Sequence, residues 1–254
     1  MLIGTSKGAK TALHHFAQGH HQGQARERHR TSHTSRIPIY GLTPSGLLMC
    51  TFPRSDWNYE QAKGKGADWA AGYFNECMNG FEYQVAGHMI WEGMITEGLA
   101  VARAVHDRYH PSRRNPWNEV ECGDHYARSM ASYGVFLAAC GFEYHEPKGH
   151  LGFAPRIHPE DFKAAFTSAE GWGTLSQKAA STGYNAEVVI NWGKLRLRSL
   201  SVELPGSVSG KMVKVAANGR AIEAKGVLAG TRLTITLNDW LELGAQQKLE
   251  VAVG

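Results

Sequence analysis

The sequence predicts a mainly α chain with β, helical through its middle and antiparallel β at its end. Three observations carry this. Apolar residues recur every three or four positions between Phe81 and Pro111. Tyr126, Met130, Tyr133, Leu137 and Cys140 are spaced 4, 3, 4, 3. Near the C-terminus apolar residues alternate with polar ones, from Val213 to Val253. The first two patterns match the helical period and the third a strand with one buried face.

Taken in order, Ile37 to Pro53 reads as two short extended pieces around the turn Thr43-Pro44-Ser45-Gly46, and 55–66 as a polar, Gly-rich loop. Phe81, Val85 and Met89 repeat at four, as do Ala86, Ile90 and Met94, and Ile95, Leu99 and Ala102 continue the stripe. Gly93 and Gly98 predict a break over 93–98, hence two helices. A helix over 125–140 has Asp124 as its N-cap and Gly141 just past its end. After Pro159 a short helix fits 160–167. Phe142–Tyr144 and Leu151–Phe153 flank the turn Glu146-Pro147-Lys148-Gly149. Val213 and Val215 lead to Asn218-Gly219, a strong two-residue hairpin signal. Leu233, Ile235 and Leu237 alternate with threonines, and Leu249, Val251 and Val253 make a final strand.

Composition narrows the function classes. Of 254 residues, 43% are hydrophobic and 20% charged, a globular balance. No run of ~18 apolar residues occurs, which excludes a helical membrane span. The net charge of +4 is confined to residues 1–36, where six Lys or Arg face the single acid Glu27; the other 218 residues carry 21 basic and 22 acidic side chains. This His-rich leader reads as a disordered basic arm. Its arginines have no interleaved aromatics, so no specific nucleic-acid partner is expected. Its His pairs lack cysteine partners, so no metal site is expected either. Cys50, Cys77, Cys122 and Cys140 are scattered, and no secretory signal follows Met1. That pattern predicts buried free thiols in a reducing, cytoplasmic setting.

Chemistry concentrates in Asn115-Pro116-Trp117-Asn118-Glu119-Val120-Glu121-Cys122-Gly123-Asp124-His125-Tyr126-Ala127-Arg128. Polar groups at a loop-to-helix junction can converge on a ligand without disturbing the core. Glu119 and Glu121 on an extended segment point to the same side. Carboxylates that cleave a glycoside must flank the scissile bond, so this pair suits hydroxyl recognition better than cleavage. Taken singly, Asp124 reads as a helix cap, and Glu119 with Arg128 as a surface ion pair.

Long motifs point further. The stretch Tyr73-Phe74-Asn75-Glu76-Cys77-Met78-Asn79-Gly80-Phe81-Glu82-Tyr83-Gln84-Val85-Ala86-Gly87-His88-Met89, then Asp107-Arg108-Tyr109, the cluster at 113–134, Gly152-Phe153-Ala154-Pro155-Arg156 and Glu170-Gly171-Trp172-Gly173 occur in order. Together they resemble the C-terminal part of glycoside hydrolase family 116, the non-lysosomal glucosylceramidases or bile-acid β-glucosidases. The resemblance covers roughly residues 37–205. It implies part of an (α/α)6 toroid followed by antiparallel strands, retaining chemistry on β-glucosides or glucosylceramide-like substrates, and no cofactor or metal. It also implies that Glu119 and Arg128 bind the glucose hydroxyls. A carboxylate accepts from hydroxyls and a guanidinium donates in a fixed fork, which suits that role.

The family's Glu nucleophile and Asp acid/base match no residue here, so no catalytic residue is assigned. Four or five helices are visible where a toroid needs twelve. The expectation is therefore a leader over 1–36, a C-terminal portion of the catalytic domain over 37–178 and a β segment over 179–254, belonging to a larger glycosidase whose N-terminal catalytic half is missing through a truncated gene, a mispredicted start or a split enzyme. The competing expectation is a non-catalytic carbohydrate-binding or interaction module, whose tail offers Tyr184, Trp192 and Trp240 as sugar-stacking rings.

Overall fold

The computed structural model describes residues 46–47, 78–112, 116–117, 128–180, 183–205 and 212–254. The basic leader, most of 37–77, Glu119, Asp124 and the cysteines at 50, 77 and 122 lie outside the described residues. The chain divides into two compact units, 1–138 and 139–254.

In the first unit, α1 (Asn79–Trp91) and α2 (Ile95–Arg108) are separated at Glu92–Met94, where the glycine break was expected. Gly98 does not break the chain. It sits inside α2, buried, where an added Cβ would lie 2.7 Å from the Ala86 carbonyl oxygen and from Ile90 Cγ1. Its missing side chain lets the two helices touch. A 3₁₀ turn, Arg128–Ala131, leads into α3 (Ser132–Cys140). Ala86 and Ile90 of α1 pack on Val135 and Ala138 of α3, with Ile95 and Ala102 of α2 against them.

The expected face of the third helix is corrected. Met130 and Tyr133 are exposed, and the buried residues are Val135, Ala138 and Cys140. The helix begins at Ser132, after a 3₁₀ turn, and is apolar nearly all round, so spacing alone cannot select its buried side. Buried polar groups fix the first unit. Arg108 donates to both carboxylate oxygens of Glu82, through Nη1 to Oε1 at 3.1 Å and through Nη2 to Oε2. Glu82 Oε1 also accepts from the Leu47 amide at 2.8 Å.

The second unit is β throughout: β1 (Glu143–His145), β2 (His150–Phe153), β3 (Asp161–Thr167), β4 (Gly171–Ala180), β5 (Gly183–Glu203), β6 (Val213–Ala217), β7 (Arg220–Ala221), β8 (Ala224–Ala229), β9 (Arg232–Gly244) and β10 (Lys248–Val253). β5, 21 residues long, is the spine. Its N-terminal half pairs antiparallel with β4 and β10, which continue the sheet to β3 and to β6–β7. Its C-terminal half pairs antiparallel with β9, and parallel with β2. One apolar cluster joins both halves, from Leu175, Tyr184 and Val188 to Leu200, Leu233 and Leu249.

These findings overturn the expected mainly α chain with a partial (α/α)6 toroid. About half of the described residues are in strands, with three short α-helices. The expected short helix over 160–167 is β3, in register with β4. Phe162 and Phe166 recur at four, which fits a helix turn. Phe162, Ala164 and Phe166 also recur at two, and the partner strand selects that period. The predicted hairpins at 146–149 and 218–219 are present, Asn218 and Gly219 both taking the positive φ that such a turn requires. Leu233, Ile235 and Leu237, and Leu249, Val251 and Val253, all face the core.

Candidate functional site

Arg128 opens the 3₁₀ turn before α3 and is partly buried. Its guanidinium lies over the Phe81 ring, 5.6 Å from the centroid. A Cβ on Gly80 would come within 2.9 Å of Arg128 Cδ, so the arginine stem runs along bare backbone there. Gly80 and Phe81 belong to the first turn of α1, which the adjacent Glu82–Arg108 pair ties to α2. The side chain expected to bind a sugar hydroxyl is thus braced by a cation–π contact and a close backbone approach. Phe81 is 44% exposed, so this brace is open to solvent. Asn79, one residue before Gly80, is buried, with no hydrogen-bond partner for its Oδ1 among the described residues. Glu119, the other expected sugar ligand, is outside the described residues, and Trp117 of the same cluster is exposed.

Two carboxylates face one another on neighbouring strands of the second unit. Glu187 and Glu250 are register partners on β5 and β10, which sets their Cβ atoms about 5 Å apart. They line a groove of about 860 Å³ with Asn185, Lys214 and Ala252. Lys248 Nζ occupies the space between them, 2.9 Å from Glu187 Oε2 and 2.8 Å from Glu250 Oε1. The ammonium holds Glu250 below the usual carboxylate range, and its bonds to Glu250 and Glu187 raise the lysine's own pKa. A general acid needs a shift opposite to that of Glu250, and Lys248 ties both carboxylates into a surface salt-bridge cluster. Pattern reading missed it because the register, which it cannot see, creates the pairing.

The remaining titratable features are structural. Burial pushes the Cys140 thiol up to about 11, leaving it protonated and inert at neutral pH, as expected of a small buried hydrophobe. Tyr184, expected as an exposed ring, is fully buried. Its hydroxyl donates to Gln177 Oε1 at 3.0 Å, and burial raises its pKa. Among the described residues no group of three or more His, Cys, Asp or Glu is placed to hold a metal, and no helix is long and apolar enough to cross a membrane.

No protein-family model matches this chain, and no curated protein matches it. Among solved structures, an alpha-L-rhamnosidase from Dictyoglumus thermophilum aligns over 62% of this chain and 17% of its own, at 12% identity and a TM-score of 0.30. A GH127 beta-L-arabinofuranosidase from Geobacillus Stearothermophilus T6 aligns over 68% of this chain and 28% of its own, at 13% identity and the same TM-score of 0.30. The chain spans less than a third of either enzyme. Both are glycoside hydrolases, of families other than 116, and similarity of this size carries no argument about fold or activity.

Proposed function

We propose that this chain recognises the glucosyl unit of a β-glucoside or glucosylceramide-like substrate, as the sugar-binding part of a β-glucosidase-type glycoside hydrolase. Glu119 accepts from the sugar hydroxyls and Arg128 donates to them. The nucleophile and the acid/base belong to a catalytic half upstream, so the chain alone binds without cleaving. The reading rests on the motifs that resemble those of family 116, and the observation that carries it is Arg128, stacked on Phe81 and seated along Gly80. A guanidinium with its stem already ordered pays less entropy on binding. The buried free thiol of Cys140 accords with a cytoplasmic setting as part of the same proposal.

Calorimetric titration with methyl β-D-glucoside tests it. Removing a charged hydrogen bond costs ~1.5–3 kcal/mol, so Arg128→Ala and Glu119→Gln should each weaken binding about 10- to 100-fold. Binding that survives both substitutions, or hydrolysis of an aryl β-glucoside by the chain alone, contradicts the proposal.

A further inference from the structure

Three surface tryptophans of the β unit have no part in the site above. Trp172 and Trp192 are direct register partners on β4 and β5, so both indoles leave the same face of the sheet. They are 45% and 64% exposed, an unusual outlay of aromatic surface in water. Among the described residues neither ring stacks on another ring, and neither indole N–H has a hydrogen-bond partner. Trp240 is half-exposed, but its ring lies against Gly149 and under the Arg196 guanidinium at 4.9 Å, which accounts for it structurally.

The backbone beneath the Trp172–Trp192 pair is unusually determined. The register shifts between Trp172 and Gly173, leaving Asn191 as the extra residue of a bulge. Asn191 Nδ2 donates to Thr174 Oγ1 at 2.9 Å, and the Lys194 amide donates to the Glu170 carbonyl at 3.1 Å. On the other side, Ile190 exchanges backbone bonds with Gln246 and Gln247 at 2.7 and 2.9 Å. Gly193 has φ of +73°, and a Cβ there would lie 2.1 Å from the Glu170 carbonyl oxygen, so no other residue fits. Such a platform presents its rings with little left to order on binding.

The neighbouring charges select the ligand class. Lys194 Nζ lies 3.5 Å from Glu170 and 3.6 Å from Glu242, and Arg196 follows two residues along the strand. Arg196 is taken up by the Trp240 ring and Lys194 by its two carboxylates, so neither is an unpaired cation to draw nucleic acid, anionic lipid or acidic glycans. Bare indole faces flanked by charges already paired with one another match a molecule with apolar C–H faces and a rim of neutral hydroxyls. We propose that Trp172 and Trp192 form a binding platform for a neutral β-glucan chain, separate from the Arg128 site.

Affinity electrophoresis of the full chain in gels containing mixed-linkage β-glucan or hydroxyethyl cellulose tests this. The wild type should be retarded. Trp192→Ala and Trp172→Ala should each weaken the interaction at least about 5-fold, and Trp192→Phe should recover part of it. Trp240→Ala should be retarded like the wild type, and saturating methyl β-D-glucoside, which occupies the proposed Arg128 site, should leave the retardation in place, which separates this platform from the proposed glucoside site. Thermal unfolding midpoints check that the variants fold; should Trp192→Ala fail to fold, Trp192→Phe and Trp172→Ala carry the test. Absence of wild-type retardation, retardation that persists in the Trp172→Ala/Trp192→Ala double variant, or retardation only by an acidic polysaccharide overturns the proposal. Wild-type self-association abolished by Trp192→Ala, seen by sedimentation, also overturns it by making the platform an interface between copies.

Discussion

Replacing Arg108 by Leu tests what holds the helical unit together. Glu82 and Arg108 are 1% and 5% exposed and joined by two hydrogen bonds, and Glu82 Oε1 also receives the Leu47 amide. Arg108→Leu leaves a carboxylate buried without its countercharge, which costs ~3–5 kcal/mol. That is a large share of the ~5–15 kcal/mol typical of a folded domain. Glu82→Met/Arg108→Leu removes both charges and fills similar volume, so most of the loss should return. A deficit of about 1 kcal/mol should remain, from the Leu47 amide that has lost its acceptor. Urea unfolding of the full chain, followed by circular dichroism at the helix band, gives both differences. A single-variant cost below about 1 kcal/mol, or a double variant no more stable than the single, refutes the reasoning. Because Glu82 adjoins Gly80 and Phe81, Arg108→Leu should also weaken methyl β-D-glucoside binding without touching Arg128.

Three further outcomes are expected. Leu200 is fully buried where β5 meets β2 and β9, so Leu200→Ala should destabilise the β unit by ~2–5 kcal/mol in denaturant unfolding; a loss under about 1 kcal/mol would show that the site collapses without a cavity. Glu143 accepts from Arg232 Nη1 and Nη2 at 2.9 and 2.7 Å, and this guanidinium lowers its pKa below the ordinary 4.5. A lowered native pKa gives stability that is present above 4.5 and is lost as pH falls through the native value. Both side chains are over a third exposed, so Glu143→Gln should cost at most about 1 kcal/mol at pH 7, and the gap to wild type should narrow as pH falls below 4.5 and through the native value; a gap unchanged with pH would contradict the assignment. Finally, with its pKa near 11 and 2% exposure, Cys140 should react with iodoacetamide at pH 8 roughly 100-fold more slowly than a thiol of ordinary pKa, as peptide mass mapping would read; rapid labelling of the native chain would contradict its burial.

How much of this was legible depends on where the periods held. Leu233, Ile235, Leu237, Leu249, Val251 and Val253 keep a strict alternation, and their strands were read correctly. The spine strand was missed because bulges shift its phase. Its buried apolar residues are even-numbered from Tyr184 to Ile190, odd-numbered at Leu195 and Leu197 after Gly193, and even-numbered again at Leu200 and Val202. β4 hides behind glycines at 171 and 173 and a buried Gln177, whose amide donates to the Pro159 carbonyl at 2.7 Å. The Glu82–Arg108 pair, 26 residues apart, follows from helix packing that no local pattern encodes. At the candidate site, the arginine was legible as chemistry. The Phe81 and Gly80 that brace it were legible only as part of a longer motif, because their role arises from the way α1 meets the 3₁₀ turn.

The most direct measurement is the ¹⁵N NMR signal of the Arg128 side-chain Nε–H in the full chain, assigned by its loss in Arg128→Lys. On titration with methyl β-D-glucoside the signal should move progressively and saturate with the calorimetric affinity, while methyl α-L-rhamnoside leaves it in place. A signal indifferent to the glucoside while the ligand binds, or one that responds alike to both sugars, would contradict Arg128 as a glucosyl-recognising residue.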